Sequence, residues 1–340
     1  MRFSTIPFLL ATAALPCVAA TPQNNEARTA VQGLLDYVSA LDARRHEAIT
    51  KSSSQHMSRE DKKHLDQISR WMARVRSCGK DATPILQSNL KTSRSKWERI
   101  WLLAALAGAR DERALSVFEV YARNDDADVR ERAIWGLSLL GLPALKSLQQ
   151  IAEDQKAGSR FKVLQAINEV VKAAQATSPE RVADALGWSV GLLKDKDADV
   201  RFIAVHIVSL GDNSFTHHLT GALKDENETI RSEVVEILAK RNDVAAIPSL
   251  MQYLLGTDDR KLQVRHRIAL AVAGLAKLEL PPLEKRYKTE PHSPTQPYWV
   301  GEDRQIDHVL KWWNEDGKSK FELEKDKKKT AEQEKSPDKK

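Results

Sequence analysis

One short phrase constrains this chain more than anything else, because the sequence keeps repeating it. Asp126-Ala127-Asp128-Val129-Arg130-Glu131-Arg132-Ala133 returns as Asp197-Ala198-Asp199-Val200-Arg201-Phe202-Ile203-Ala204, then as Asn227-Glu228-Thr229-Ile230-Arg231, and again as Gln263-Val264-Arg265-His266-Arg267-Ile268-Ala269. The arginines Arg130, Arg201, Arg231 and Arg265 stand 71, 30 and 34 residues apart. The first interval holds two units, so the period lies in the range of helical repeats. A second series alternates with the first and is headed by proline: Thr83-Pro84, Leu142-Pro143, Ile247-Pro248 and Pro281-Pro282, with Ser178-Pro179 a less similar fifth. Proline suits a helix start because its missing N–H would have no intrahelical acceptor there and its φ is already helical.

This alternation predicts a two-helix repeat. First helices are expected over 96–109, 128–140, 159–175, 199–210, 229–240 and 260–276, and second helices over 111–123, 143–154, 179–194, 214–224, 246–255 and 281–288. In each the apolar residues cover one broad face that a single pair cannot bury, so neighbouring pairs must stack and the ends need caps. The expected fold class is all-α, a right-handed α-α superhelix of about six helix pairs with an N-terminal helical hairpin and a C-terminal capping helix.

The flanks differ from the repeats. Residues 1–20 read as a secretory signal peptide: Arg2, then an apolar core from Phe8 to Ala14 too short to span a bilayer, then the small-residue cleavage site Val18-Ala19-Ala20. The expected location is therefore secreted or periplasmic, with a mature chain beginning at Thr21. Removal of Cys17 leaves Cys78 as the one thiol, so no intrachain disulfide is available. Residues 21–80 are expected to form the helical hairpin. One helix over 26–49 carries Val31, Leu34, Leu35, Val38 and Leu41, and a second starts at Ser58 and carries Leu65, Ile68, Trp71, Met72 and Val75. A coiled-coil arm is the alternative for this region. The repeats fill 81–290. Residues 291–317 are a proline-rich connector and a capping helix with Ile306, Val309, Leu310 and Trp313 on one face, Tyr298-Trp299 beside it in the exposed groove, and Gly317 as its stop. From 318 to 340 the chain is charged and nearly free of apolar residues, so disorder is expected there.

Lined up in this way, the Asp-x-Asp-Val-Arg-x-x-Ala helices and the proline-headed helices resemble the HEAT-repeat family over 81–315. The nearest branch is the bacterial one similar to phycobilisome-lyase HEAT-like repeats, and Val309-Leu310-Lys311-Trp312-Trp313-Asn314 is similar to the tryptophan-rich helix that closes such proteins. The segments Trp97-Glu98-Arg99 and Ser159-Arg160-Phe161 depart from the Val-Arg pattern. The resemblance implies that Arg130, Arg201, Arg231 and Arg265 form a structural ladder, bridging acids or loop carbonyls of adjacent repeats; a phosphate- or carboxylate-binding row is the other reading. Asp128 and Asp199 are the matching N-cap candidates, and Pro84, Pro143, Pro248 and Pro282 the second-helix starts.

The resemblance implies a scaffold for macromolecular contacts more often than an enzyme. His206, His217, His218 and His266 lie within about sixty residues but lack the i, i+4 spacing of a helical ligand pair. HEAT-repeat hydroxylases bind iron through several His-Glu dipeptides, and here only His46-Glu47 occurs. Trp97, Trp101 and Trp135 read as packing, with a sugar-binding platform as the alternative. No Gly-rich phosphate loop, Cys-x-x-Cys pair or Gly-x-Ser-x-Gly elbow is present, so no catalytic residue, cofactor or metal is expected. The net charge is +6. Much of it belongs to Arg2 and to the tail, where nine lysines face six acids. The near-neutral body argues against a nucleic-acid groove. The expected function is an exported, non-enzymatic scaffold with a protein or peptide partner. An enzyme or metal- or cofactor-binding solenoid is the first alternative, and a nucleic-acid-binding one the second. No transmembrane segment is expected; the tail offers at most weak contact with an anionic membrane surface or cell wall.

Overall fold

The computed structural model describes residues 24–51, 57–154, 157–258, 260–287 and 297–322. The expected signal peptide, the connector 291–296 and residues 323–340 of the tail lie outside them, as do the side chains of Tyr298 and Trp299. The chain divides into two compact units, Met1–Ala185 and Leu186–Lys340.

In the first unit the helices are α1 (Asn24–Ser39), α2 (Ala43–Lys51), α3 (Arg59–Ser77), α4 (Ala82–Thr92), α5 (Lys96–Ala109), α6 (Leu115–Tyr121), α7 (Ala127–Leu140), α8 (Leu145–Asp154), α9 (Ala157–Gln175) and the start of α10 (Pro179–Leu192). The first helices α5, α7 and α9 lie side by side, and each packs on the second helix before it: α4 on α5, α6 on α7, α8 on α9. This is the nearest-neighbour packing expected of a repeat array. Helix α5 has a different surrounding. Every residue from Ile100 to Ala107 is buried, because α1, α3, α4 and α7 enclose it. Its sequence, apolar on all sides, matches a helix without a wet face.

The N-terminal region packs α1 on α3 and holds a third helix, α2, between them in the chain. The expected helix over 26–49 is two helices, broken at residues 40–42. Asp42 wins locally: its carboxylate accepts from the Arg45 amide at 2.8 Å, and such a side-chain acceptor starts a new helix more firmly than apolar spacing can continue an old one. Helix α3 begins as anticipated at Ser58, whose Oγ accepts from the Asp61 amide at 3.0 Å, and it buries Ile68, Met72 and Val75.

The second unit holds the rest of α10, then α11 (Ala198–Ser209), α12 (Thr216–Gly221), α13 (Glu228–Arg241), α14 (Ile247–Leu255), α15 (Leu262–Ala276), a hairpin of β1 (Glu284–Tyr287) and β2 (Pro297–Val300), and α16 (Glu302–Trp312). The same packing recurs, α11 on α13 on α15, with α12 against α13 and α14 against α15. After α15 the pattern stops. The helix expected over 281–288 is absent, so Pro282 starts no helix. Lys277 ends α15 in the left-handed conformation (φ 56°), with the Leu278 amide returning to the Ala273 carbonyl at 2.9 Å. A residue before proline is pushed toward extended backbone, and Pro281-Pro282 does this twice while removing two donors. The chain then pairs β1 with β2 in antiparallel register, Glu284 opposite Val300 and Tyr287 opposite Pro297.

Helix α16 takes the vacant place on α15, and its Ile306 and Val309, with Trp313 just beyond it, join Ile268 and Val272 in one core. Gly317 is not a stop: a π-turn over Trp313–Gly317 runs on into helix at residues 318–322. The glycine is needed for space, since a Cβ there would lie 2.9 Å from both the Trp312 and Trp313 rings. The start of the tail is thus ordered, with Phe321 6.0 Å from Trp313, where disorder was expected.

Gly136 of α7 carries a similar constraint. An added Cβ would meet the Phe118 ring at 2.3 Å, and Phe118 on α6 is wholly buried. Gly136→Ala should therefore lower stability by about 1–3 kcal/mol through overpacking, although alanine is the better helix former by about 1 kcal/mol. A urea midpoint at or above that of the parent chain would contradict this packing.

Candidate functional site

The repeated phrase builds the same small turn three times. Asn124, Asp195 and Asp225 each accept, through Oδ1, the amide two residues on, at 3.0, 2.9 and 2.8 Å. Those next residues, Asp126, Asp197 and Asn227, are in extended conformation and cap α7, α11 and α13. Their side chains accept from the amides of Asp128 (3.0 Å), Asp199 (2.9 Å) and Thr229 (2.9 Å). The N-caps therefore stand two residues before the expected Asp128 and Asp199, which lie inside their helices as amide donors. An N-cap needs non-helical backbone, and the Asx turn provides it one step earlier. Asp128 instead meets Lys96 Nζ at 2.6 Å.

The arginine comes six residues after the first Asx of each turn and folds back onto it. Arg130 Nη1 donates to the Asn124 carbonyl at 2.6 Å, Arg201 Nη1 to Asp195 at 2.7 Å and Arg231 Nη1 to Asp225 at 2.6 Å. Each is the fourth residue of its helix, as Arg265 is in α15. Helix α15 lacks the capping side chain, since Lys261 stands at the N-cap. Two further arginines lie in the segments that depart from the Val-Arg pattern. Arg99 is the fourth residue of α5 and donates to the Ser93 carbonyl, again six residues back, through Nε (3.1 Å) and Nη2 (2.8 Å). Arg160 is the fourth residue of α9 and reaches the Ala152 carbonyl at 3.0 Å. Their helices do not carry Val-Arg, so a search for that dipeptide passes over them; counting from the cap would have found both.

Arg201 also bridges repeats. Its Nε and Nη2 fork onto the Asp225 carboxylate at 2.7 and 3.1 Å, both side chains being nearly buried (8% and 6% exposed). Burial pushes the Asp225 carboxyl up, but Arg201 and the Asn227 amide outweigh it and hold it below the usual carboxylate range. Glu226, the third partner at 3.0 Å, is exposed. Arg231 Nε donates to the Tyr253 hydroxyl at 3.1 Å, and Arg241 binds the Ser209 and Gly211 carbonyls at 2.8 and 2.9 Å. In the second unit Arg201, Arg231 and Arg241 thus join neighbouring helices and their turns.

The second-helix starts follow another rule than proline at the first position. Short 3-10 turns precede most of them, capped by Asp111, Asp212 and Asp243, which accept amides at 3.1, 2.9 and 3.0 Å. Pro143 lies within such a turn, Pro248 is the second residue of α14, and Pro84 the third of α4. Asp111 is 2% exposed and is clamped by Arg113 at 2.6 Å. Burial raises its carboxyl, but the hydrogen bonds from the Arg113 guanidinium and the Arg113 amide of the turn overcome this and bring it down to about 2.

The histidines are scattered among separate partners. His206 lies 3.6 Å from Glu233, His266 Nε2 is 2.7 Å from Gln305 Oε1, and the His217 and His218 rings meet tilted at 43° with centroids 3.6 Å apart. Among the described residues no group of three or more His, Cys, Asp or Glu side chains is placed to hold a metal. Cys78 is buried, and burial raises its thiol. Trp101 is buried against His46, and Arg132 lies over Trp135 at 5.3 Å. In the first unit a groove of about 560 Å³ runs between α1, α3 and α4, bordered by Arg28, Gln32, Asp36, Trp71, Ile85 and Asn89. Large apolar side chains stand exposed in the second unit at Val244, Leu255 and Leu270.

Two substitutions separate the buried from the exposed ion pairs. Arg201→Met strands Asp225 and should lower stability by about 3–5 kcal/mol, whereas Arg123→Met, which loses an exposed contact with Asp154, should change it by less than about 1 kcal/mol. Asp111→Asn should lower stability at pH 7 by about 2 kcal/mol. The carboxyl sits lower folded than unfolded, so its contribution is complete above about pH 4 and fades as the pH falls toward 2. The difference in urea midpoint between parent and variant should shrink over that range; a constant difference would exclude this origin.

The family profile described as HEAT repeats matches residues 83–168 and 186–273, together more than half of the chain. No curated protein is similar to the chain in sequence. Among solved structures, human deoxyhypusine hydroxylase in complex with glycerol is similar over 86% of this chain and 96% of its own, with 17% identity and a TM-score of 0.33. YibA of Escherichia coli is similar over 74% and 82%, with 16% identity and a TM-score of 0.43. The complex of CpcE and CpcF of phycocyanin lyase from Nostoc is similar over 78% and 99%, with 16% identity and a TM-score of 0.35. No residue role is carried over from these proteins. The matched stretches contain Arg99, Arg130, Arg160, Arg201, Arg231 and Arg265, the fourth residues of successive first helices, and the chain belongs to the HEAT-repeat family.

Proposed function

We propose that the chain is an exported, non-enzymatic scaffold whose helix-pair surfaces bind a protein or peptide partner. The observation that carries this reading is the use made of the arginines. The groups best suited to seize a phosphate or carboxylate are instead bound to turn carbonyls, as Arg99, Arg130, Arg201 and Arg231 are. Interaction is left to what stands outside the ladder, including exposed leucines on α14 and α15 such as Leu255 at 61% and Leu270 at 45%. Exposed apolar side chains of this size offer area to a partner where they lie together in one patch. Export is supported by the charged, apolar and small-residue order of residues 1–20.

Photo-crosslinking from positions 255 and 270 in cells of the source organism tests the scaffold reading. One discrete adduct should form at these positions and be missing from a position in the core such as Leu250; a diffuse smear or no adduct would remove the basis for a specific partner. N-terminal sequencing of the protein recovered from those cells should begin at Thr21. A chain still starting at Met1 would refute export.

A further inference from the structure

Helix α2 is fastened to its neighbours by the lone pairs of two imidazole rings. On one side, the Trp101 indole of α5 reaches His46 Nδ1 at 3.1 Å, while His46 Nε2 lies 3.0 Å from the Val38 carbonyl of α1. An indole N–H can only donate and a carbonyl can only accept, so the ring carries its single proton on Nε2 and offers Nδ1 bare. The ring is buried and stacks on Trp97, with centroids 4.9 Å apart and planes 9° from parallel. On the other side, Arg45 Nη1 lies 2.7 Å from His64 Nε2 of α3. A guanidinium has no acceptor, so this nitrogen is bare as well, and Nδ1–H of the same ring donates to the Tyr37 hydroxyl at 2.7 Å. Two adjacent residues of α2 thus depend on two neutral histidines. Among its described residues only His46 and Ile49 are buried.

A proton added to His46 Nδ1 would set two N–H groups head to head. A proton added to His64 Nε2 would place a second cation 2.7 Å from Arg45. The charged groups around His46 include Asp42 in the turn before α2, Glu47 next in the chain, and Lys96, which lies 5.0 Å from the Trp97 ring centroid. Around His64 stand Tyr37, Arg45, and Glu60 and Asp61 from the turn of α3 before it; Glu60 is already paired with Arg45 at 2.9 Å. Burial pushes His46 below the usual imidazole range.

We infer that α2 is an acid-released strap: proton uptake at His46 Nδ1 removes the acceptor that holds Trp101, frees the helix from α5, and uncovers Trp97 and Trp101. The neutral His46 ring is the native one and burial keeps it below the usual imidazole range, so the hold is complete above the ordinary imidazole value of about 6.5 and weakens as the pH falls below it.

Amide hydrogen exchange of the full chain, followed from pH 8 to pH 5 and corrected for intrinsic rates, tests this. The opening equilibrium of residues 43–50 should stay level down to about pH 6.5 and then rise by up to about tenfold per pH unit for the one proton taken up, while α7 and α8 keep their protection. Opening of α2 that is flat with pH, or that merely follows α7 and α8, would overturn the inference. The variant Arg45→Met, Trp101→Phe retains apolar volume but lacks both donors. It should open more readily at pH 8 and show a smaller pH step, because His46 stays buried but no longer loses a donor contact on protonation; a step of the parent's size would equally refute the strap. Should that variant not fold, the slope in the parent chain decides.

Discussion

Each repeat must solve one problem at its joint. The end of a second helix leaves carbonyls without partners, and a few residues later the next first helix leaves amides without partners. The arginine at the fourth helical position answers the first half, folding back to carbonyls in the turn it has just left, as Arg130 does with Asn124 and Asp125. The Asx pair answers the second half, as Asn124 and Asp126 do with the amides ahead of them. A cation beside the negative end of a helix adds to the match. The joint is satisfied internally in about seven residues, and the stacking of neighbouring helix pairs within each unit depends on joints that hold their angle.

Much of this architecture was written in the chain. The first helices lie within two residues of their expected bounds, because Val129, Ala133 and Leu137 repeat at helical spacing and Asx residues mark the starts. The arginine ladder was legible as a pattern but not in extent. A dipeptide was taken as its mark, whereas the physical requirement is distance from the cap, which Arg99 and Arg160 meet without a preceding valine. The caps were misplaced by two residues because acids occupy both positions, and only backbone conformation tells Asp126 from Asp128. Where the sequence read a helix after Pro282, two successive prolines had already turned the chain away from helical φ and ψ.

Other features had no sequence signal of their own. The break at residues 40–42 rests on one carboxylate competing with an intact apolar stripe. The His46–Trp101 and His64–Arg45 contacts join residues 55 and 19 apart, and no spacing rule brings them together. The β-hairpin is defined by its partner strand, and four-residue segments such as Glu284–Tyr287 carry too little pattern to be read alone. The candidate surface is harder still, since an exposed leucine becomes notable only when its neighbours are known to be covered.

Helix α5 lacks a wet face on any side, and this bears on how the protein meets copies of itself. A repeat array whose terminal helix shows a bare apolar stripe invites another array to stack on it, and end-to-end growth follows. Here α1 and α3 lie against α5 and hide Ile100 through Ala107 from solvent. The leading helices are in this sense a stopper, and they remove the sticky end from which a filament would grow.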